Sequence, residues 1–201
     1  MEPHLFARIR VEGRSPSLWH GLVNIIAVHA LAGPYAAAAV LLATAGLVKA
    51  GRPTPTVGAL RALRLPSRPW LVRALGVMEA SVGATALAFD SQAAAAMVAA
   101  SYAAFAGFVL LALRRGAMVG TCGCFGRADT PPTLTHLVIN AGAAAVATGI
   151  AVRPSGTSFA ATVGDQPLLG IPFTLLCLTC AALAYLAFTR LAQLEGLRNR
   201  A

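Results

Sequence analysis

Long apolar segments separated by short polar ones constrain this 201-residue chain more than any other feature. A helix needs about 20 predominantly apolar residues to cross the hydrocarbon core of a bilayer. The composition agrees, because 57% of the residues are hydrophobic and 11% are charged, whereas about a quarter are charged in soluble domains. We therefore predict an all-α, polytopic transmembrane helical bundle, with a core of four helices and a fifth C-terminal span. The predicted spans are Leu22–Val48, Trp70–Phe89, Ser91–Leu113, Thr133–Val152 and Leu168–Leu191.

These segments divide the chain into three parts. Residues 1–20 form a basic N-terminal tail, and residues 21–152 form the four-helix membrane domain, which contains a thiol loop at 115–132. Residues 153–201 supply a connecting loop, the fifth transmembrane helix and a C-terminal tail. The segment 51–69, which carries prolines and arginines among leucines, is predicted to be an amphipathic stretch at the membrane interface.

The first apolar run is too long for the core of a cleaved signal peptide, so we predict an uncleaved first span. Gly33-Pro34 interrupts this run. The 15 residues that follow, Tyr35–Lys49, would extend only about 22 Å as a helix, so the span must begin before Pro34. Because proline disturbs a helix interior, the span is expected to be kinked or partly re-entrant.

The formal net charge of +9 comes from basic residues between the apolar runs. Anionic headgroups and the cytoplasmic bias of Lys and Arg explain such a charge, so we predict a lipid bilayer as partner and no nucleic-acid site. With five spans, the face opposite the thiol loop would hold only Arg8, Arg10, Arg14 and Arg153, and the remaining Lys and Arg residues would share the loop's face. The charge count therefore favours a cytoplasmic thiol loop.

The thiol loop contains Cys122-Gly123-Cys124. Glycine permits the backbone angles of a small, strained disulfide, which is easily reduced. Arg114, Arg115 and Arg127 are close in sequence and favour thiolates. We therefore predict Cys122 and Cys124 as catalytic residues in thiol–disulfide exchange.

Two other interpretations of these cysteines stay open. In one, small residues merely occupy a tight turn. In the other, the thiolates bind copper or zinc, for which they are suitable ligands, and His136 adds a nitrogen ligand. Two thiols and one histidine leave a tetrahedral site incomplete, so we assign no metal ligand.

Glu79 is an ionisable residue at membrane depth, where an unpaired charge costs about 3 kcal/mol or more. It is either a catalytic proton acceptor or quinone-facing acid coupled to the thiols, or a buried acid bonded to a neighbouring helix. Lys49 is a candidate partner, but it lies near the end of the first span. We expect its side chain to extend to the interface instead.

Three further features are less specific. Cys177 and Cys180 lie on one face of the fifth span and are a candidate second thiol pair, although packing of small apolar side chains explains them better. His29 and Asn140 are predicted to form hydrogen bonds between helices.

The features between about Tyr35 and Val152 resemble the methylamine-utilisation MauE family, which is related to DoxX-like membrane proteins. The resemblance implies a four-helix membrane bundle whose thiol–disulfide chemistry supports disulfide formation and maturation of exported proteins, beside a thioredoxin-like partner. The arrangement is also similar to vitamin K epoxide reductase, where a bundle presents cysteines near a quinone. The matching elements are Ala45-Gly46-Leu47-Val48-Lys49, Glu79, Arg114-Arg115-Gly116 and Cys122-Gly123-Cys124-Phe125-Gly126.

By this resemblance Gly123, Phe125, Gly126, Lys49, Arg115 and His136 are supporting residues. It implies a multi-pass protein of a bacterial-type plasma membrane, with a quinone as a candidate acceptor. Exported substrates would place the thiol loop on the face opposite to the one that the charge count favours. A metal-binding or transport protein and a non-catalytic assembly partner are the alternative functions.

Overall fold

The computed structural model describes the backbone of residues 16–115, 132–152, 159–165 and 167–187, with side chains from Leu31 onward apart from a few in 161–169. These residues form helices and connecting turns without a strand. The helices are α1 (Pro16–Gly51), α2 (Thr54–Ala62), α3 (Pro69–Ala88), α4 (Gln92–Arg114), α5 (Leu134–Val152), α6 (Phe159–Asp165) and α7 (Pro167–Leu186).

Four helical segments in the described ranges are long and apolar enough to cross a membrane. Many of their large apolar side chains, such as Val77, Met78 and Val138, point outward, as expected for surfaces in contact with lipid. The prediction of a polytopic helical membrane bundle is therefore confirmed. The four segments are Leu31–Gly51, Pro69–Ala88, Gln92–Arg114 and Leu134–Val152.

The structure refines both ends of this prediction. Helix α1 continues through Pro34 without interruption, so the partly re-entrant alternative for the first span is wrong. The predicted fifth segment contains α7, and the part of this helix whose side chains the structure describes, Gly170–Leu186, is apolar. That it crosses the bilayer stays a prediction. Helix α6 lies in the predicted connecting loop, and its seven residues are too few for a helical period to be visible in the sequence.

The predicted interfacial segment contains α2, which buries one face. The helix ends in a turn where Leu65 N donates to Leu60 O and Arg64 adopts a left-handed φ of 56°. Glycine usually occupies this position at a helix end. The turn presses Leu63, 1% exposed, into a small apolar cluster with Ala59 and with Ala112 of α4. Helix α2 is thereby packed against the C-terminal end of α4.

Helices α1 and α3 cross with their backbones in close contact. A Cβ atom added to Gly46 of α1 would lie 2.5 Å from Gly76 O, and one added to Gly76 would lie 2.6 Å from Gly46 O. Two turns further along, a Cβ atom on Gly83 would lie 2.6 Å from Ala39 O. Small residues allow this approach, which is how helices gain van der Waals contact in lipid.

Helix α4 packs mainly on α5, and α3 packs mainly on α1. Between these two pairs, Leu42, Val82, Val98 and Ala147 bring four different helices into one buried cluster. The turn between α3 and α4 is closed by Ser91, whose Oγ accepts a hydrogen bond from Ala94 N at 3.3 Å. Such a side-chain cap satisfies a backbone donor at the start of a helix.

We predict that Gly46→Ala lowers the free energy of unfolding by about 1–3 kcal/mol, because even a methyl group must push the α1 and α3 backbones apart. The matched control is Gly107→Ala in α4, where an added Cβ atom meets nothing within 4 Å. This control should be neutral or slightly stabilising, because alanine is the better helix former. Reversible unfolding in detergent measures both. Equal effects of the two substitutions would contradict the close approach of α1 and α3.

Candidate functional site

A buried ion pair joins α1 to α3. Lys49 Nζ lies 2.9 Å from Glu79 Oε1 and 2.7 Å from Oε2, and the two side chains are only 3% and 1% exposed. The expectation that Lys49 extends to the interface is therefore wrong, and the alternative, a partner for Glu79, is correct. An unpaired carboxylate at this depth would be costly. Pairing with Glu79 therefore outweighs the hydration that the Lys49 ammonium group would gain at the interface.

The glycines of the α1–α3 crossing make room for this pair. A Cβ atom on Gly46 would lie 3.0 Å from the Cβ of Glu79, and one on Gly76 would lie 3.0 Å from the Cβ of Lys49. Each charged residue therefore lies opposite a glycine of the other helix. In the sequence, the small residues around Gly46 and Gly76 indicate that each helix can approach a neighbour closely. They do not reveal which two helices cross.

Helix α4 closes the site with two aromatic residues that the sequence analysis did not identify. Lys49 Nζ lies 4.2 Å from the ring centroid of Phe105, a favourable cation–π contact. Tyr102 stands edge-on to Phe105, with ring centroids 5.8 Å apart. The Tyr102 hydroxyl donates to Ala38 O of α1 at 2.8 Å. The sequence does contain a signal for these two residues: they are three positions apart, and so on one face of a helix, in a chain with few aromatic residues.

A cavity of about 460 Å³ adjoins the pair. Lys49 and Glu79 are the charged groups in its wall, and most of the other lining side chains are apolar. A largely apolar cavity with a few convergent polar groups is the usual form of a small-molecule site. The lining residues are Lys49, Thr56, Leu60, Leu75, Met78, Glu79, Val82, Met97, Ala100, Ser101, Ala104, Phe105 and Phe108.

The predicted catalytic thiols Cys122 and Cys124, with Gly123, Phe125 and Gly126, lie outside the described residues. The structure does describe Arg115, the last described residue before them. Its guanidinium group donates to Leu63 O at 2.8 Å and so joins the end of α4 to the turn after α2. The thiol-containing segment therefore leaves the bundle at the end to which α2 is attached.

The chain re-enters the described bundle at Pro132, and His136 follows in the first turn of α5. His136 is 2% exposed, and its Nδ1 lies 3.0 Å from Thr133 Oγ1, with which it shares a hydrogen bond. Asn140 donates to His136 O at 2.7 Å. This bond lies within α5, and the predicted bond from Asn140 to another helix is not found among the residues that the structure describes. The side chain of His29 is outside the described residues.

Cys177 and Cys180 are free thiols. Cys177 is buried, and its thiol donates to Gly33 O of α1 at 3.8 Å, whereas Cys180 is exposed. The contact with Gly33 supports a packing role for Cys177 between α7 and α1. A redox role for the two thiols stays a prediction. Within the described part of the chain, no group of three or more His, Cys, Asp or Glu residues is arranged to hold a metal ion.

Comparison with known proteins gives one match. A family model described as "Methylamine utilisation protein MauE" matches residues 26–153, which is well over half of the chain. The match includes all four candidate spans, the Lys49–Glu79 pair and the two loop cysteines, and ends before α6 and α7. Neither the curated proteins nor the solved structures contain a match.

We predict that Lys49→Met and Glu79→Gln each lower the free energy of unfolding by about 3–5 kcal/mol, because each leaves one buried polar partner unsatisfied. The double variant should cost much less than the sum, since neither charge remains. A double-mutant cycle of unfolding in detergent measures this coupling. Strict additivity would show that the two side chains do not interact.

We also predict that Arg115→Gln loosens the turn after α2, because Leu63 O loses a charged donor. Trypsin should then cleave after Arg61 or Arg64 about fivefold faster, the factor expected for a loss of about 1 kcal/mol. The matched control is Arg114→Gln, which removes a neighbouring exposed arginine. If both variants are cleaved at the same rate, the Arg115–Leu63 contact does not hold the turn.

Proposed function

Because this chain belongs to the family of the methylamine utilisation protein MauE, we propose that it is a membrane thiol–disulfide redox protein that supports disulfide formation in exported proteins. The observation that carries the proposal is the Cys122-Gly123-Cys124 motif in the segment between α4 and α5, inside the matched region. A link to methylamine utilisation follows from the family's description. We propose that the protein lies in a bacterial-type plasma membrane.

The proposed reaction is an exchange with a thioredoxin-like partner. A thiolate of the reduced partner attacks the Cys122–Cys124 disulfide, and a mixed disulfide forms while one loop thiol leaves. The partner's second thiol then displaces the remaining loop sulfur. The partner leaves as a disulfide, and the loop retains two electrons and two protons as two thiols. Renewed activity requires a second acceptor that reoxidises these thiols.

The surroundings of the loop suit this chemistry. Arg115 before the motif and Arg127 after it are positive groups that favour the thiolate. Gly123 permits the tight backbone that a disulfide across one residue needs. Phe125 and Gly126 complete the family motif, and His136 lies where the chain returns to the bundle. Glu79, which is paired with Lys49 inside the membrane domain, is the proposed proton acceptor coupled to the thiols.

We expect Cys122 and Cys124 to resist alkylation under oxidising conditions and to become reactive after reduction. Thiol trapping with mass spectrometry of the full-length protein measures this. Single Cys122→Ser or Cys124→Ser variants should leave the other thiol reactive in both conditions. The Cys177→Ser/Cys180→Ser double variant is the matched control and should keep the protected pair.

Loop thiols that stay reactive under oxidising conditions would refute the exchange function. Stoichiometric copper or zinc that is lost in both loop variants would favour the metal-binding alternative instead. Unchanged function of both loop variants would favour an assembly role. The same experiment with a membrane-impermeant reagent in intact cells reports the loop's face, because an exported loop is labelled without permeabilisation.

A further inference from the structure

The cavity beside the ion pair opens sideways toward lipid. Its walls include Leu75 and Met78 of α3 and Met97 of α4, and all three side chains are exposed on the outer surface of the bundle. Helices α3 and α4 are consecutive in the chain, but their contact with each other is small. The contact of α3 with α1 and that of α4 with α5 are both much larger. A molecule dissolved in the membrane can therefore enter between α3 and α4 without passing through water.

The polar groups of the wall restrict what can bind there. A lipid acyl chain would leave Lys49 and Glu79 facing hydrocarbon, which is unfavourable for charged groups. An ammonium group has three N–H donors, and two point to the oxygens of Glu79. The third is not bonded to Glu79 and is available to the Phe105 ring or to an oxygen of a ligand. The cavity therefore favours a lipid-soluble molecule that carries a hydrogen-bond acceptor.

Shape and aromatic lining narrow the class further. The volume of about 460 Å³ lies within the range of roughly 300–1,000 Å³ for small-molecule sites. The rings of Phe105 and Phe108 line it and can pack against a planar ring. Ala100 and Ala104 of α4 also line the cavity, and their small side chains leave its volume open. A planar ring with carbonyl oxygens and an apolar tail satisfies all of these features.

We propose that this cavity binds the ring of a membrane quinone, which enters between α3 and α4 and accepts a hydrogen bond from Lys49. The quinone is the second acceptor, and this part of the inference rests on the proposed thiol function. Two S–H bonds of the loop cysteines break and one S–S bond forms. The two electrons and two protons reduce the two carbonyl oxygens of the quinone, which leaves as a quinol.

The position of the cavity along the bundle supports this coupling. Thr56 and Leu60 of α2 form part of its wall, and α2 is attached to the end of α4 through Arg115. From Phe105 to Arg115, the helix rises about 15 Å. The cavity therefore extends from the middle of α3 and α4 to the end of the bundle from which the thiol-containing segment departs.

Photolabelling of the full-length protein in nanodiscs tests the site. The probe is an azido-quinone with a short alkyl tail, mapped by mass spectrometry with and without excess decylubiquinone. We expect labels on lining residues of α3 and α4, displaced by decylubiquinone but not by decanol. Ala104→Phe should reduce the displaceable label about tenfold, because a phenyl ring fills the cavity. The matched control is Ala103→Phe, which places the same ring on a neighbouring exposed position outside the lining set and should leave the label unchanged.

The Cys122→Ser/Cys124→Ser variant separates this site from the thiol function, since quinone binding does not require the thiols. Displaceable labelling in this variant supports the site even if the wild-type thiols never cycle. Displacement by decanol as effective as that by decylubiquinone would show that the cavity holds lipid chains and would overturn the proposal. Equal labelling of the Ala103 and Ala104 variants, or labels elsewhere in the chain, would overturn it as well.

Discussion

The close approach of α1 and α3 is the contact on which the rest of this structure depends. In lipid, association of helices gains little from the hydrophobic effect, so van der Waals contact between backbones carries more of the energy. Gly46, Gly76 and Gly83 provide that contact, because each faces backbone atoms of the other helix at a distance that excludes a side chain. The same glycines place Lys49 and Glu79 side by side. A larger residue at either crossing glycine would separate the helices and strand both charges.

The ion pair in turn specifies how α1 and α3 align. Its net contribution to stability is modest, because burial of two charges costs about as much as their attraction returns. A slip of one helical turn would move the two groups about 5.4 Å apart along the axis and leave each charge in an apolar environment. Alternative alignments are therefore penalised far more than the native one is favoured. Phe105 adds a third helix to this arrangement by placing its ring against Lys49.

At the end of the bundle where α2 is attached to α4, a different kind of contact holds the helices together. Arg115 bonds to Leu63 O, and the buried Leu63 joins the turn after α2 to Ala112 of α4. Helix α2 can therefore serve both as a wall of the cavity and as an attachment for the end of the helix that precedes the thiols. If the cysteines cycle as proposed, electrons pass from the loop to the membrane at one end of one bundle. Thiols in a loop and a cavity in the membrane domain suit a reaction whose protein partner is soluble and whose electron acceptor is lipid-soluble.

The sequence by itself determined the membrane helices, because an apolar run of sufficient length has one stable form in lipid, in which every backbone group is satisfied within the helix. It also singled out Glu79 and the Cys122-Gly123-Cys124 motif and indicated the family, since these depend on residue type and order. The tertiary structure decided that Lys49 pairs with Glu79 rather than extending to the interface, that Tyr102 and Phe105 complete the site, and that a cavity lies between α3 and α4. Those outcomes depend on which helices cross and at what separation. Helical periodicity shows which residues share a face, but it carries no information on which other helix that face will contact.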